Sequence, residues 1–410
     1  MSKNIKGAIP KWRFLEFKGN GDWERKKLGK MAFIVNDKIA IEKLNAETYI
    51  STENMLPNFA GVSTASQLPQ TGNFTKFKAG DILVSNIRPY LKKVWRSNKT
   101  GGASNDVIVF RSNSDIDSNF LEFILKNELF INYVMKNAKG LKMPRGDKES
   151  MLIYPVYIPP YPTFSEQQKI ADCLSSVDDL ISAEEKKLAL LNDYKKGWMQ
   201  KLFPAEGKTV PEWRFPEFKD SKGWEKLNIE KACYPSYSGG TPVTSKKEYY
   251  NGDIPFIRSG EIGKKKTELF LTSEGLDNSS AKMIEKGDVL MALYGANSGD
   301  VAISPIKGAI NQAILCLRHK NNNAFLYHYL AFKKNWIVRT YIQGGQGNLS
   351  GEIVKSIELC SPQEPDEQNR IAAFLSVIDE LTSNQKEKIE ALKQHKKALM
   401  QGLFPSIEEV

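Results

Sequence analysis

The sequence predicts a mixed α/β (α+β) fold in which two similar domains are separated by two long helices that form an intramolecular antiparallel coiled coil. First, the chain repeats itself: 165–204 and 366–405 align at a constant offset of 201, without a gap and with 18 of 40 positions identical. Second, both stretches carry apolar residues in the 4-3 rhythm of a heptad. Third, the other segments combine β-rich runs with amphipathic helices. A repeat this long indicates a duplicated module rather than a solenoid.

The segments outside the long helices predict the same kind of domain in each copy. Short β-rich runs at 81–84, 106–110 and 288–291 are bounded by Gly, Asn and Lys, and they predict strands. Stretches 120–135 and 325–338 predict amphipathic helices. These two element types together predict a mixed α/β domain on each side of the central helix.

A second, looser register relates the two domains. An offset of 207 aligns Ile50 with Ile257 and Gly80 with Gly287, whereas 32–48 has no counterpart of similar sequence. A shared scaffold with differing loops is expected of two domains that recognise different targets.

Both long helices have recognisable ends and an apolar seam. Each follows a proline-rich entry, with Ser165 and Asp366 predicted as N-caps, and each ends at Leu-Phe-Pro, at 202–204 and 403–405. A helix of about 38 residues is roughly 57 Å long, more than one core can cover. The two seams are therefore expected to pack on each other; the alternative is that each helix packs on its own domain. The predicted seam residues are Ile170, Leu174, Val177, Ile181, Leu188, Leu191, Trp198, Leu202, Ile371, Leu375, Ile378, Ile389, Leu392, Leu399 and Leu403. Polar residues interrupt the seams at Glu184, Lys195, Thr382, Gln385 and Lys396.

These features predict four segments. A first domain occupies 1–162 and is followed by a central long helix at 163–204. A second domain occupies 205–363 and is followed by a distal long helix at 364–405.

The net charge of the chain is +10, and the excess lies mostly in the first domain. Residues 1–164 contain 25 basic and 15 acidic residues. A basic surface attracts polyanions, nucleic acid first, although charge alone does not distinguish a nucleic-acid-binding protein from other basic proteins.

Composition and missing motifs favour a binding protein over an enzyme. The sequence has no phosphate-binding loop of the G-x-x-x-x-G-K-[ST] type, no G-x-G-x-x-G between a strand and a helix, and only three histidines. Cys316 and His319 have ligand-like spacing without a second pair, so no metal site is predicted. No apolar run reaches the roughly 18 residues of a membrane span. We expect a cytoplasmic protein with reduced cysteines, no cofactor and no catalytic residue.

Several motifs resemble one family. The runs 238–242 (SGGTP) and 252–262 (GDIPFIRSGEI) resemble the opening of a target-recognition domain in the specificity (S) subunits of type I restriction–modification systems. So do 49–54 (YISTEN) and 80–90 (GDILVSNIRPY). The helix starts that follow Pro162 and Pro362, each with a Glu-Gln pair that begins four or five positions after the proline, resemble the helical regions of that family. The first copy departs from the pattern, since it lacks the Gly-Gly-Thr-Pro turn and has MPRGD at 143–147 where the second copy has QGNLS at 346–350.

The resemblance implies a non-catalytic DNA-reading subunit of a system that defends against foreign DNA. It would join two modification (adenine methyltransferase) subunits and the restriction/translocase subunits, on which S-adenosylmethionine, ATP and Mg would be bound. Its double-stranded DNA target would be bipartite and asymmetric, with one half read by each target-recognition domain. A rigid coiled coil would fix the distance between the halves, as dimer geometry does in other DNA-binding proteins.

Candidate DNA-binding residues lie in the loops that follow the predicted strands. They combine side chains that can reach base edges with cations that can reach phosphate. In the first domain they are Asn86, Arg88, Tyr90, Lys92, Lys93 and Arg96, with Lys142 and Arg145 in a second basic loop. In the second domain they are Thr241, Arg258, Ser259, Lys264, Lys265, Lys266, Tyr294, Asn297, Ser298, Gln346 and Asn348.

Two other functions fit parts of the sequence. A two-domain nucleic-acid-binding adaptor, for RNA or DNA, would use the same basic surfaces without any association with methylation. A fused methyltransferase or nuclease would need cofactor and metal motifs that the sequence lacks.

Overall fold

A computed structural model describes residues 8–140, 142–160, 164–341 and 348–405. The chain divides into two compact units. Unit 1 comprises Met1–Glu185 and Lys388–Val410, and unit 2 comprises Lys186–Glu387. Each unit therefore contains one globular region, the beginning of one long helix and the end of the other. The four segments predicted from the sequence divide the chain differently, and their boundaries stay a prediction.

The described globular part of unit 1 contains ten strands and four short helices. The first long helix also begins in unit 1. The strands are β1 (Glu24–Lys27), β2 (Ala32–Ile34), β3 (Lys38–Ala40), β4 (Tyr49–Ile50), β5 (Asn73–Phe77), β6 (Ile82–Ser85), β7 (Val94–Arg96), β8 (Gly101–Ala103), β9 (Val107–Ser112) and β10 (Pro155–Ile158). The helices are α1 (Leu28–Met31), α2 (Ser118–Lys126), α3 (Glu128–Lys136), α4 (Lys148–Ile153) and the long α5 (Phe164–Leu202).

The described part of unit 2 has the same number of strands and short helices in a similar order. Its strands are β11 (Glu225–Asn228), β12 (Tyr237–Ser238), β13 (Tyr250–Ile257), β14 (Leu269–Leu271), β15 (Lys282–Ile284), β16 (Val289–Ala292), β17 (Val301–Ile303), β18 (Gly308–Ile310), β19 (Ile314–Leu317) and β20 (Glu358–Ser361). Its helices are α6 (Ile229–Ala232), α7 (Ser273–Asp277), α8 (Asn323–Ile337), α9 (Gly351–Ser356) and the long α10 (Pro365–Leu403).

Each unit has two four-stranded sheets and one two-stranded sheet. In unit 1 the strand orders are β2-β9-β6-β7, β3-β5-β8-β4 and β1-β10. In unit 2 they are β12-β19-β16-β17, β14-β13-β18-β15 and β11-β20. One parallel pair occurs at the same place in each unit, β4 with β8 and β13 with β18, and the other described pairs are antiparallel. The prediction of two similar mixed α/β domains is confirmed.

The helix ends complete the core of each unit. In unit 1, Ile170 and Leu174 at the start of α5 pack with Leu403 and Phe404 at the end of α10. In unit 2 the end of α5, at Leu202 and Phe203, packs with the start of α10. Burial of these large apolar side chains is the main favourable term that attaches the helices to the globular regions.

A buried ion pair also anchors each helix start. In unit 1, Glu166 accepts hydrogen bonds from the guanidinium of Arg13, both at 2.8 Å, and from Trp23 Nε1 at 3.2 Å. In unit 2, Glu367 accepts the equivalent bonds from Arg214 and from Trp224 Nε1, the latter at 3.3 Å. Each carboxylate lies in the first turn of its helix, where the helix dipole favours negative charge.

The two long helices run antiparallel within each unit. In unit 1, Lys396 Nζ lies 2.6 Å from Asp178 Oδ1, and Lys388 Nζ lies 2.5 Å from Glu184 Oε1. In unit 2, Lys195 Nζ lies 2.5 Å from Asp379 Oδ1. Of the residues that interrupt the predicted seams, Glu184, Lys195 and Lys396 therefore take part in interhelical ion pairs. The predicted seam residues are all buried or half-buried.

Two details of the sequence prediction are wrong. The helix expected at 120–135 is broken at Asn127, because the side chain of Asn127 accepts a hydrogen bond from Leu129 N at 2.9 Å and caps α3. The long helices begin at Phe164 and Pro365, so Ser165 and Asp366 are first-turn residues rather than N-caps.

Candidate nucleic-acid interface

In unit 1 the loop that follows β6 forms a short protruding turn. A 3-10 turn at Pro89–Leu91 is flanked by Arg88 and Lys92, whose φ angles of 50° and 54° place both in the left-handed region. Pro89 is buried, whereas Tyr90 is 49% exposed and Arg88 is exposed. The turn is fixed by its proline and presents an aromatic ring and a guanidinium at the surface.

The second predicted basic loop meets this turn. Arg88 N donates to Pro144 O at 2.9 Å, and Gly146 N donates to Asn86 O at 3.0 Å. Lys142 and Arg145 are exposed, and Arg145 forms an ion pair of 3.3 Å with Asp106. The structure therefore brings the two basic loops of the first domain together.

Three other predicted cations of unit 1 are engaged by the protein itself. Lys92 pairs with Glu128 at 2.7 Å, and Arg96 Nε donates to Glu122 at 3.0 Å. Lys93 Nζ donates to the carbonyl of Thr52 at 2.6 Å. The hydrogen bond from Lys92 lowers the pKa of Glu128, so this carboxylate is ionised at neutral pH. Within the described residues, by contrast, the guanidinium of Arg88 has no hydrogen bond or ion pair.

In unit 2 the loop that follows β16 takes the same place. Tyr294, Asn297 and Ser298 are half-buried, and Ser298 Oγ donates to Leu293 O at 2.8 Å. Leu349 N donates to the same carbonyl at 2.8 Å, which brings the exposed Asn348 beside this loop. Gln346 lies outside the described residues.

Arg258 follows β13 and is held by two carboxylates. Its Nε lies 3.0 Å from Glu261 Oε2, and its Nη2 pairs with Glu268. The hydrogen bonds that Arg258 donates to Glu261 and then to Glu268 raise the pKa of Arg258. Burial raises the pKa of Glu261, but the bonds from Arg258 and from backbone N–H groups outweigh it, and the net pKa is lowered.

The remaining predicted residues of unit 2 are Ser259, Thr241 and three lysines. Ser259 begins the 3-10 turn Ser259–Glu261, and a Cβ at Gly260 would lie 3.3 Å from Asn297 Nδ2. Thr241 Oγ1 donates to Gln312 Oε1 at 2.7 Å. The lysines that follow the turn are exposed; they are Lys264, Lys265 and Lys266.

Sequence reasoning missed one segment of the unit 1 surface. Asn58 N and Phe59 N donate to Leu91 O and Lys92 O, both at 2.9 Å, so the segment around Asn58 lies against the protruding turn. Asn58 and Phe59 also have positive φ, at 55° and 62°. The Pro-Asn-Phe-Ala-Gly run at 57–61 was a recognisable turn signal, although nothing in it indicated the partner loop.

Two negative observations apply to the described residues. No three of their His, Cys, Asp and Glu side chains are grouped so that they could hold a metal ion. In 8–140, 142–160, 164–341 and 348–405, no helix has the length and apolar character of a membrane span.

Comparison with known proteins identifies the class. The family model described as the type I restriction modification DNA specificity domain matches 20–193 and again 222–394. These matches cover most of the chain, and the chain therefore belongs to that family. Membership confirms the resemblance noted from the sequence and the predicted non-catalytic specificity role. It supports that role rather than the adaptor alternative.

Individual relatives and structures agree with this class. The chain is 24% identical to the MjaVIII specificity subunit of Methanocaldococcus jannaschii over 93% of this chain and 92% of that one. It is 29% identical to the MjaX specificity subunit of the same organism, over 60% of this chain and 58% of that one, so this second match spans little more than half of the relative. The crystal structure of the type I S subunit from M. genitalium has a similar fold, with a TM-score of 0.66, 15% identity and coverage of 97% of this chain and 100% of that one. A chain from a structure that describes complex assembly and conformational transition of the type I system has a TM-score of 0.55, 16% identity and coverage of 94% and 98%.

Proposed function

We propose that this specificity subunit reads a bipartite, asymmetric site in double-stranded DNA, with one half-site read by each unit. The observation that carries the proposal is that the two units hold equivalent loops with different side chains. The offset of 207 aligns Tyr90 with Asn297, and the parallel loops before α4 and α9 align Arg145 with Asn348. Equivalent positions on one scaffold with different hydrogen-bonding groups favour two different half-sites.

The paired helices support a fixed spacer between the half-sites. Each long helix has 39 residues and is anchored at its start by a buried ion pair and at its end by apolar packing. Two modification (adenine methyltransferase) subunits and the restriction/translocase subunits are the proposed partners. S-adenosylmethionine, ATP and Mg would be bound by those partners, and the assembly would act on DNA in the cytoplasm.

Mapping of methylated adenines tests the proposal. The chain is co-expressed with the modification subunit of its own system, and methylated adenines in the host DNA are mapped by single-molecule sequencing. We expect a new bipartite motif that is absent when the modification subunit is expressed alone. A soluble complex that adds no methylation would contradict the proposal and favour another kind of binding protein.

A variant sharpens this experiment. Asn297→Ala is expected to alter one half-site and to leave the other half-site and the spacer unchanged, because Asn297 belongs to unit 2 alone. Simultaneous loss of both halves would argue against one half-site per unit.

A further inference from the structure

The loops that follow β6 and β16 share several backbone hydrogen bonds. Leu91 N donates to Arg88 O at 2.9 Å in unit 1, and Ser298 N donates to Gly295 O at 3.1 Å in unit 2. The hydrogen bond that closes each loop is also shared. It runs from Ser85 N to Lys93 O in unit 1 and from Ala292 N to Asp300 O in unit 2. All these positions correspond at the offset of 207.

The same two positions are left-handed in both loops, but they hold different residues. In unit 2 they are Gly295 and Gly299, each with a φ of 85°. In unit 1 they are Arg88 and Lys92, at 50° and 54°. The left-handed conformation costs a residue with a Cβ about 1–2 kcal/mol and costs glycine almost nothing. Unit 2 thus uses the residue that the backbone favours, and unit 1 retains two cations in its place.

Only one of these cations has a structural use. Lys92 pairs with Glu128 on α3, and this ion pair accounts for a side chain at that position. Arg88 is exposed, and its guanidinium contacts no acceptor in the part of the chain that the structure describes. Nothing in the packing of unit 1 therefore requires an arginine in this conformation.

The surroundings of Arg88 match the chemistry of DNA. Its backbone N–H is bonded to the loop that carries the exposed Lys142 and Arg145, so the local charge attracts phosphate. A guanidinium donates two parallel hydrogen bonds to guanine O6 and N7 in the major groove from a rigid planar group, whereas a lysine ammonium reaches the same atoms only from a single nitrogen on a flexible stem. Strained residues with this kind of environment are typical of functional sites.

We propose that Arg88 is a base-reading residue of unit 1, which contacts guanine bidentately and is retained in a left-handed conformation for that purpose. This inference rests on the proposed function, because it presupposes a half-site read by unit 1. It assigns to Arg88 the role of specificity and to Lys92 the role of holding the turn on α3.

Three substitutions at Arg88 separate the effects of the positive charge, of the two parallel guanidinium donors (the fork) and of the left-handed backbone conformation. Arg88→Lys keeps the positive charge and loses the fork, whereas Arg88→Ala and Arg88→Gly lose both. Methylated adenines are mapped for each variant, and binding is measured on a duplex that contains the motif mapped for the unaltered chain. We expect all three variants to lose discrimination at one base pair of one half-site, with binding weakened about 5- to 150-fold. The other half-site and the spacer stay the same.

Thermal unfolding of the variants tests the backbone part of the inference. Arg88→Gly should unfold at a higher temperature than Arg88→Ala, because both lack the guanidinium and only alanine remains strained. Lys18→Ala removes an exposed cation of unit 1 outside these loops, and it should leave the motif unchanged.

Four results would count against the inference, and they are distinguishable. If Arg88→Lys retained the full base preference, the planar guanidinium would not be needed and the bidentate contact would be refuted. If Arg88→Gly and Arg88→Ala unfolded together, the left-handed conformation would not be retained at a cost. If the unaltered chain produced no bipartite motif, the proposed function itself would fail, whereas an intact motif in every Arg88 variant would refute only the role of Arg88.

Discussion

Unit 1 and unit 2 repeat their buried ion pairs position by position, whereas their surface loops diverge. The pairs Arg13–Glu166 and Arg214–Glu367 are related by the offset of 201, and they have the same tryptophan donor to the carboxylate. Equivalent positions in the loops hold different residues, for example Ser51 in unit 1 and Arg258 in unit 2. Duplicated domains can keep the interactions that fix strands and helices while the loops that follow strands change, because loops tolerate substitution without disturbing the core.

The largest effect should come from the helix anchors. We expect Glu166→Ala to reduce the free energy of unfolding of unit 1 by about 3–5 kcal/mol, because the buried guanidinium of Arg13 loses the carboxylate with which it pairs. Glu367→Ala should do the same to unit 2. Hydrogen exchange followed by mass spectrometry reports each unit separately, and Glu149→Ala, an exposed residue of α4, is the control. If either substitution increased hydrogen exchange equally in both units, the result would argue against two separate anchors.

The second effect concerns the strand-end pair of unit 2. Asp288 accepts two hydrogen bonds of 2.7 Å from Arg318 and one of 2.8 Å from Glu285 N. Burial raises the pKa of Asp288, but the bonds from Arg318 and the backbone outweigh it, so the folded-state pKa is lowered. A lowered pKa stabilises the fold above the ordinary aspartate value of about 3.9, and this contribution is lost as pH falls through the folded-state pKa.

Asp288→Asn should therefore cost about 1–2 kcal/mol at pH 7 and reduce the further loss of stability below about pH 4. Urea unfolding of the variant and the unaltered chain between pH 7 and pH 2 measures both quantities. An unchanged acid dependence would mean that other carboxylates determine the acid unfolding of unit 2.

The third effect compares the left-handed positions of the two loops. Gly295→Ala should cost about 1 kcal/mol, because alanine is strained there although the Cβ itself meets no atom within 4 Å. Gly299→Ala should cost more, since its Cβ would lie 2.8 Å from Val338 Cγ2. Thermal unfolding checks the order of the two variants. A Gly295→Ala variant as stable as the unaltered chain would remove the energetic contrast with Arg88.

The smallest effect is expected at the interhelical ion pairs. Lys195–Asp379 in unit 2 and Lys396–Asp178 in unit 1 are related by the repeat. Double-mutant cycles with alanine should give coupling energies of about 0.2–1 kcal/mol in both, because these side chains remain partly exposed. The coupling should decrease as salt is added. A coupling several times larger in one unit would show that the repeat does not preserve the energetics of the helix pair.

The sequence was sufficient for the long helices and the duplicated domains, because both depend on repeated apolar spacing. It was insufficient where one polar side chain decides the local structure, as at Asn127, whose cap to Leu129 N divides the expected helix. The spacing of apolar residues along the chain contains no information about a capping hydrogen bond of this kind.

The candidate site was predictable as a set of loops but not as a set of free side chains. The partners of Lys92 and Arg96, Glu128 and Glu122, lie more than twenty positions along the chain and belong to no motif. The contrast between Arg88 and Gly295 becomes informative only when the φ angles of both are known. Alignment of the two copies shows which residues correspond, and the φ angles show that the corresponding positions have the same left-handed conformation.

Because each long helix is divided between the two units, the order in which the chain is synthesised determines which unit can be completed first. Unit 2 ends at Glu387, but the core of unit 1 also requires Leu403 and Phe404, roughly 220 residues after Glu185, where the first part of unit 1 ends. At a synthesis rate of about 5–20 residues per second, that delay is on the order of 10–40 s. The domain that leaves the ribosome first is therefore the last to be completed, and until then it exposes the apolar surface that receives the end of the chain.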